Sequence, residues 1–140
     1  MKRKIMAVTL TAAMLAGLAA VPVWADDAGS DEGKVLNIYC WNEEFKSRLT
    51  DHYPGYEEVD GTHGKIGDVD VVWNITPSDD NAYQNNLDET LLKQADASAD
   101  DKIDLFLVEA DYALKYVNTD YTMPIADLGI TEDEVADQYQ

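Results

Sequence analysis

Val35-Leu36-Asn37-Ile38-Tyr39-Cys40-Trp41, followed at once by Asn42-Glu43-Glu44-Phe45, reads as a strand running into a helix. The first seven residues are rich in β-formers and nearly continuous in apolar character, as a strand covered on both faces requires. Asn42 offers a helix cap, and Glu43 and Glu44 suit the positive end of a helix dipole. Phe45, Leu49 and Tyr53 recur at helical spacing, Glu44 and Arg48 form a favourable i, i+4 pair, and Pro54-Gly55 ends the helix.

The same pattern repeats downstream. Val69-Asp70-Val71-Val72-Trp73-Asn74-Ile75 is a second strand, preceded by a glycine-rich turn from Gly61 to Gly67 and broken by Pro77. A helix is expected over about 81–95, with Tyr83, Leu87, Leu91 and Ala95 as its apolar stripe. After the polar loop 96–102, Ile103 to Val108 is a third strand and Glu109 to Val117 a short helix with Ala113, Tyr116 and Val117 inward. Met123-Pro124-Ile125 is a brief extended piece. Thr131-Glu132-Asp133-Glu134 is a capping box that opens a last helix carrying Val135. Strands alternating with helices imply an α/β fold, with a mostly parallel three-stranded sheet joined by right-handed crossovers and flanked by helices.

Upstream, Met1-Lys2-Arg3-Lys4 is a basic head, and Ile5 to Val21 holds no charged residue. Pro22-Val23-Trp24-Ala25 then presents small or aliphatic residues where a signal peptidase inspects the chain. Residues 1–25 are read as a signal peptide, cleaved after Ala25. The competing reading is a membrane helix. The apolar run is at the short limit of the roughly 17–25 residues that span a bilayer, and Gly17, Pro22 and threonines dilute it. Asp26 stands where a lipoprotein needs cysteine, so no lipid anchor is expected at this end, and the lone Cys40 forms no internal disulfide. Residues 26–33 are an acidic, flexible lead-in. Export to the bacterial periplasm or medium follows, with no insertion in the membrane after cleavage.

The signal segment holds three of the ten basic residues and none of the 28 acidic ones. The remainder therefore sets 7 basic groups against 28 acidic ones, a formal charge of −21. Such a chain repels nucleic acid and anionic lipid. Its acidity reads first as solubility and second as attraction of a cation or basic partner.

The run Lys34 to Arg48 resembles the start of extracellular solute-binding proteins of carbohydrate ABC importers. So does Asp104 to Val117, with Pro124-Ile125-Ala126-Asp127-Leu128 behind it, and the strand and helix between these blocks fit the same spacing. The resemblance covers about residues 34 to 135. It implies a type II periplasmic-binding-protein fold, two lobes with a hinge, of which residues 34–140 would be an incomplete N-terminal lobe. Family members are roughly three times longer, so the chain is expected to be the first piece of such a protein. The implied partners are a carbohydrate ligand and the ABC transporter permease subunits.

In open parallel sheets ligands bind beyond the carboxyl ends of the strands. Those ends are Trp41-Asn42-Glu43, Ile75-Thr76-Pro77-Ser78 and Glu109-Ala110-Asp111-Tyr112. Aromatic faces stack on a pyranose, and carboxylates and amides take its hydroxyls. In the family such residues line the cleft, which implies ligand-binding roles for Trp41, Asn42, Glu43, Glu109 and Asp111. Each has a plainer reading: Trp41 as core, Asn42 and Glu43 as cap and dipole partner, Asp111 as a first-turn residue, Tyr112 as packing. Glu109 follows an apolar strand directly and is the most suggestive.

Other patterns are set aside. His52 and His63 do not define a metal site. The calcium-like start at Asp96 lacks the glycine and glutamate of a binding loop. Glu43 and Glu44, adjacent on a helix, cannot flank one glycosidic bond. Asn74-Ile75-Thr76 matches a glycosylation sequon but ends a strand expected to be buried. No coherent catalytic set exists, so no enzyme and no cofactor are expected. The alternative to a sugar-binding subunit is a small secreted α/β interaction protein without sugar binding.

Overall fold

The computed structural model describes residues 33–117 and 119–138. The signal peptide 1–25 and residues 26–32 of the lead-in lie outside the described residues.

Among the described residues five strands and two α-helices build the fold: β1 (Val35–Cys40), α1 (Glu44–His52), β2 (Tyr56–Glu58), β3 (His63–Ile66), β4 (Val69–Ile75), α2 (Ala82–Leu91) and β5 (Leu105–Phe106). The strands form one mixed sheet in the order β2-β3-β4-β1-β5. β1 pairs parallel with β4 (Ile38 opposite Trp73) and with β5 (Tyr39 opposite Phe106). β3 pairs antiparallel with β4 and with β2. Among the described residues no helix is long and apolar enough to cross a membrane.

Alternation along β1 sends side chains to both faces, which is why its apolar run is broken only at Asn37. Ile38 and Cys40 point to one side with Val71 and Trp73, under Phe45 and Leu49 of α1. Tyr39 points to the other, where Tyr83, Leu87 and Leu91 of α2 form a second core with Ile103 and Tyr116. Cys40 is fully buried, and that burial pushes its thiol pKa up. Asn37, the polar exception in β1, donates from Nδ2 to the carbonyls of Asp100 (2.8 Å) and Lys102 (2.9 Å), clamping the approach to β5.

The expected three-stranded sheet is corrected to five strands, because the glycine-rich stretch 61–67 is not a single turn. Gly67, at φ +59°, turns β3 into β4. Gly64 sits inside β3 because the Tyr56 ring lies across it: a Cβ there would stand 2.2 Å from Tyr56 Oη. Tyr56 Oη in turn accepts the Trp73 indole N–H at 3.1 Å. Gly64→Ala is expected to cost about 1–3 kcal/mol in a urea unfolding curve, as overpacked sites do. An unchanged midpoint would show that the ring moves aside freely.

Four further expectations are corrected. The third strand shrinks from 103–108 to Leu105–Phe106. The Gln94 side chain takes both main-chain groups of Ile103, accepting its N–H (2.9 Å) and donating to its carbonyl (2.8 Å), in place of a strand partner. The helix expected over 109–117 is a single 3₁₀ turn at Ala113–Lys115, entered from Tyr112 at φ −124°, ψ 3°, outside the helical region. The Thr131 capping box does form, with Thr131 N–H donating to Glu134 Oε2 at 2.8 Å, but it opens only a 3₁₀ turn at Glu132–Val135. The helix expected over 81–95 is α2, ten residues long, with a separate 3₁₀ turn at Gln94–Asp96.

Candidate functional site

The three parallel strands fix where the site lies. From β1 the chain passes to α1 on one face before reaching β4. From β4 it passes to α2 on the opposite face, then crosses beyond β1 to β5. After β5, Tyr112 and Tyr116 join the α2 face. The neighbouring strands β1 and β5 thus send their following segments to opposite faces. That divergence is a topological switch point, the place beyond the strand ends where open α/β sheets take their ligands. The two segments bordering it are 41–43 and 109–112, which hold all five residues expected from the sequence.

A tyrosine holds the two strand ends together. Tyr83, in the first turn of α2 and 1% exposed, places its hydroxyl 2.6 Å from the Leu107 carbonyl and 3.1 Å from the Tyr39 carbonyl. Its single proton is shared between them, with Leu107 the closer acceptor. Leu107 N–H also donates to Tyr39 O at 3.0 Å, extending the ladder past β5. On the far side, Thr76 N–H donates to Cys40 O at 3.0 Å, and Thr76 Oγ1 accepts from Asn86 Nδ2 at 3.0 Å. The chain then reaches α2 through Asp80 (φ 51°) and Asn81 (φ 61°), two residue types that tolerate the left-handed region.

Trp41 is half-buried and meets Tyr83 edge to face, with centroids 5.5 Å apart. Trp41 and Tyr112 pack on the same buried cluster, so the two bordering segments share one aromatic support. Asn42 is exposed and its Oδ1 accepts the Glu44 N–H at 2.9 Å in a turn just ahead of α1; the N-cap position is Glu43, one residue later than the cap expected from the sequence, and the Asn42 amide NH₂ has no partner among the described residues. Glu43 is exposed, and its carbonyl accepts both the backbone N–H (2.9 Å) and the hydroxyl (3.0 Å) of Ser47. Glu109 and Asp111 are exposed on the turn after β5, which Tyr112 N–H closes onto Glu109 O at 3.2 Å. Among the described residues no ion pair involves Glu43, Glu109 or Asp111. Burial, and then the charges of Glu109 and Asp111, push the Tyr112 phenol up, so it stays a neutral donor beside two acceptors.

A concavity of about 610 Å³ lies elsewhere, along the outer side of β5, and none of these five residues lines it. One polar feature near the site was not anticipated from sequence, and the burial expected at the sequon is observed. Tyr83 was visible only as the start of an apolar stripe. Asn74 has a buried Nδ2 without a hydrogen-bond partner. That nitrogen is the atom a glycan would use, so the sequon is closed to modification in the folded chain.

Among the described residues no group of His, Cys, Asp and Glu side chains is arranged to hold a metal ion. His63 is engaged with its own turn, Nδ1 lying 2.9 Å from Asp60 Oδ1. The Thr62 N–H foremost, then His63, hold the Asp60 carboxyl down at about 2. No family model matches the chain, and neither a characterised protein nor a solved structure matches it.

Proposed function

We propose that the chain is the extracytoplasmic sugar-binding component of a carbohydrate ABC importer, or a part of one, delivering its ligand to the membrane permease. In this reading the parallel trio β4-β1-β5 belongs to the N-terminal lobe of a type II binding fold. The supporting observation is the switch point between β1 and β5, bordered by one tryptophan, one amide and three carboxylates. The indole of Trp41 supplies the apolar face on which a pyranose ring stacks. The Asn42 NH₂ and the Tyr112 hydroxyl donate to sugar oxygens. Glu43, Glu109 and Asp111 accept from sugar hydroxyls, and charge-assisted bonds of this kind are the stronger ones. The set binds and orients without breaking a bond, as a transport protein requires.

Calorimetric titration of the full-length protein that carries this chain, against a panel of neutral oligosaccharides, tests this. Binding is expected for at least one sugar. Glu109→Gln, at an exposed position, is expected to weaken it about 10–100-fold, the usual worth of a hydrogen bond to a charged group. Circular dichroism should find that variant as folded as the parent. No heat with any sugar from that full-length protein, once it is shown to be folded, removes the reading. The alternative, a secreted interaction protein, draws support from the exposed apolar surface beside β5.

A further inference from the structure

We infer that Asp60-Gly61 is a site of spontaneous covalent modification, an aspartate-to-isoaspartate rearrangement that the turn around it holds shut while the chain is folded. The inference does not rest on sugar binding. Asp60-Gly61 is the one Asp-Gly pair in the sequence. Glycine, without a Cβ, lets its main-chain nitrogen approach the preceding carboxyl more closely than any other residue does. The step needs no reactant but water. The Gly61 nitrogen attacks Cγ of the Asp60 carboxyl, an N–Cγ bond forms, and the amide proton and the carboxyl OH leave together as water. The cyclic imide then takes water back at either carbonyl. Breaking the new N–Cγ bond restores aspartate. Breaking the original bond between the nitrogen and the main-chain carbonyl carbon leaves the chain running through Cγ, as isoaspartate.

The turn leaves the nucleophile free and restrains the carboxyl. Gly61 is exposed, and among the described residues no acceptor takes its N–H. Its φ is not left-handed, unlike those of Gly55, Gly67 and Gly129, and nothing stands within 4 Å of a Cβ placed on it. The turn therefore does not require glycine at this position. The Asp60 carboxylate, by contrast, is fully engaged. Its Oδ1 accepts the N–H groups of Thr62 and His63, each at 2.8 Å, the His63 Nδ1–H at 2.9 Å and the Thr62 hydroxyl at 3.2 Å. Such bonds favour the ionised form. The Thr62 N–H foremost, then the His63 ring, bring the carboxyl from its ordinary 3.8 to about 2. Only the neutral carboxyl has an OH that leaves readily, and at neutral pH that form is roughly 10–100-fold scarcer than in an unrestrained aspartate. Lys46 of α1 donates to the Gly61 carbonyl at 2.7 Å, and the N–H groups of Val59 and Asp60 donate to the His63 carbonyl at 2.9 and 3.0 Å. Every group of this clamp lies between residues 46 and 63. Isoaspartate lengthens the main chain by a carbon inside it, so the modified chain loses the register of the turn that joins β2 to β3. Local opening of that turn is the route by which the folded chain is modified.

The test follows isoaspartate at position 60 by peptide mapping with electron-transfer fragmentation. The full chain is held folded in buffer or unfolded in urea, at the same neutral pH and temperature. The unfolded sample is expected to accumulate isoaspartate at least tenfold faster. His63→Ala, at an exposed position, removes the ring but leaves the main-chain donors; in buffer it should rearrange several-fold faster than the parent, with circular dichroism unchanged. Gly61→Ala should keep the fold and slow the reaction in urea. Equal rates for the parent in buffer and in urea would show that the turn restrains nothing and would overturn the inference, whatever the variants do. An unfolded sample without isoaspartate at position 60 would remove the site itself. A folded His63→Ala variant with the parent's rate would overturn the clamp as described.

Discussion

Trp73→Ala is expected to lower the unfolding free energy by about 3–5 kcal/mol, the usual cost of removing a large buried aromatic ring. Trp73 is 2% exposed at the centre of β4. Its ring meets Phe45 of α1 edge to face, with centroids 6.2 Å apart, and its N–H reaches Tyr56 of β2. One side chain thus ties a helix and an edge hairpin to the parallel strands. Small domains have only about 5–15 kcal/mol in total, so the alanine variant should be largely unfolded at moderate urea. Trp73→Phe keeps most of the ring but leaves the Tyr56 hydroxyl without its donor, and about 1–2 kcal/mol is expected from it. Urea melts followed by far-ultraviolet circular dichroism read both. An alanine variant with the parent's midpoint would mean that the α1 face contributes little to the fold.

Tyr83→Phe should act on both stability and pH response. Without the hydroxyl, the Leu107 carbonyl loses its shortest donor, for about 1–3 kcal/mol, and the two strand ends at the switch point lose their common tether. Burial pushes the Tyr83 phenol well above its ordinary range. Tyr116 is pushed up likewise by burial, then by its bond to Asp88. As pH rises past about 10 the unfolded chain releases phenolic protons that the folded chain retains. Deprotonation then favours the unfolded state, so the stability these groups contribute is full below about pH 10 and declines above it. Denaturation midpoints between pH 8 and 11.5 should fall on the alkaline side, and the fall should be shallower in Tyr83→Phe/Tyr116→Phe. An identical slope in that variant would place the alkaline lability elsewhere.

The parallel part of the fold was readable because its signals are local. The apolar run 35–41, the run 69–75 and the stripe Tyr83, Leu87, Leu91 each lie within one element, and both helices of the trio follow from them. β2 and β3 were not readable. Glu57, Glu58 and Lys65 face solvent, Gly64 looks like a turn residue, and the contact that makes it a strand residue comes from Tyr56. The shortening of β5 has the same origin, since Gln94 satisfies Ile103 through a side chain nine positions away in sequence. At the site, the bordering segments could be located from the strand ends alone. Tyr83 could not, because its hydroxyl bonds to Tyr39 across 44 positions. Its position in the first turn after a strand was the one available hint.

Cys40 has a consequence for the chain in an oxidising environment. Its sulfur lies sealed between the sheet and α1, and burial holds it in the thiol form. Thiolate is the species that attacks disulfides and peroxides. A folded molecule is therefore inert to oxidants and to mixed-disulfide formation, and reacts only in moments when α1 lifts from the sheet. Since the sequence holds one cysteine, each opening that ends in reaction leaves an oxidised or capped monomer or a covalent pair. The proportion of modified chains in an aged preparation is then a cumulative count of past openings, kept by the molecule itself.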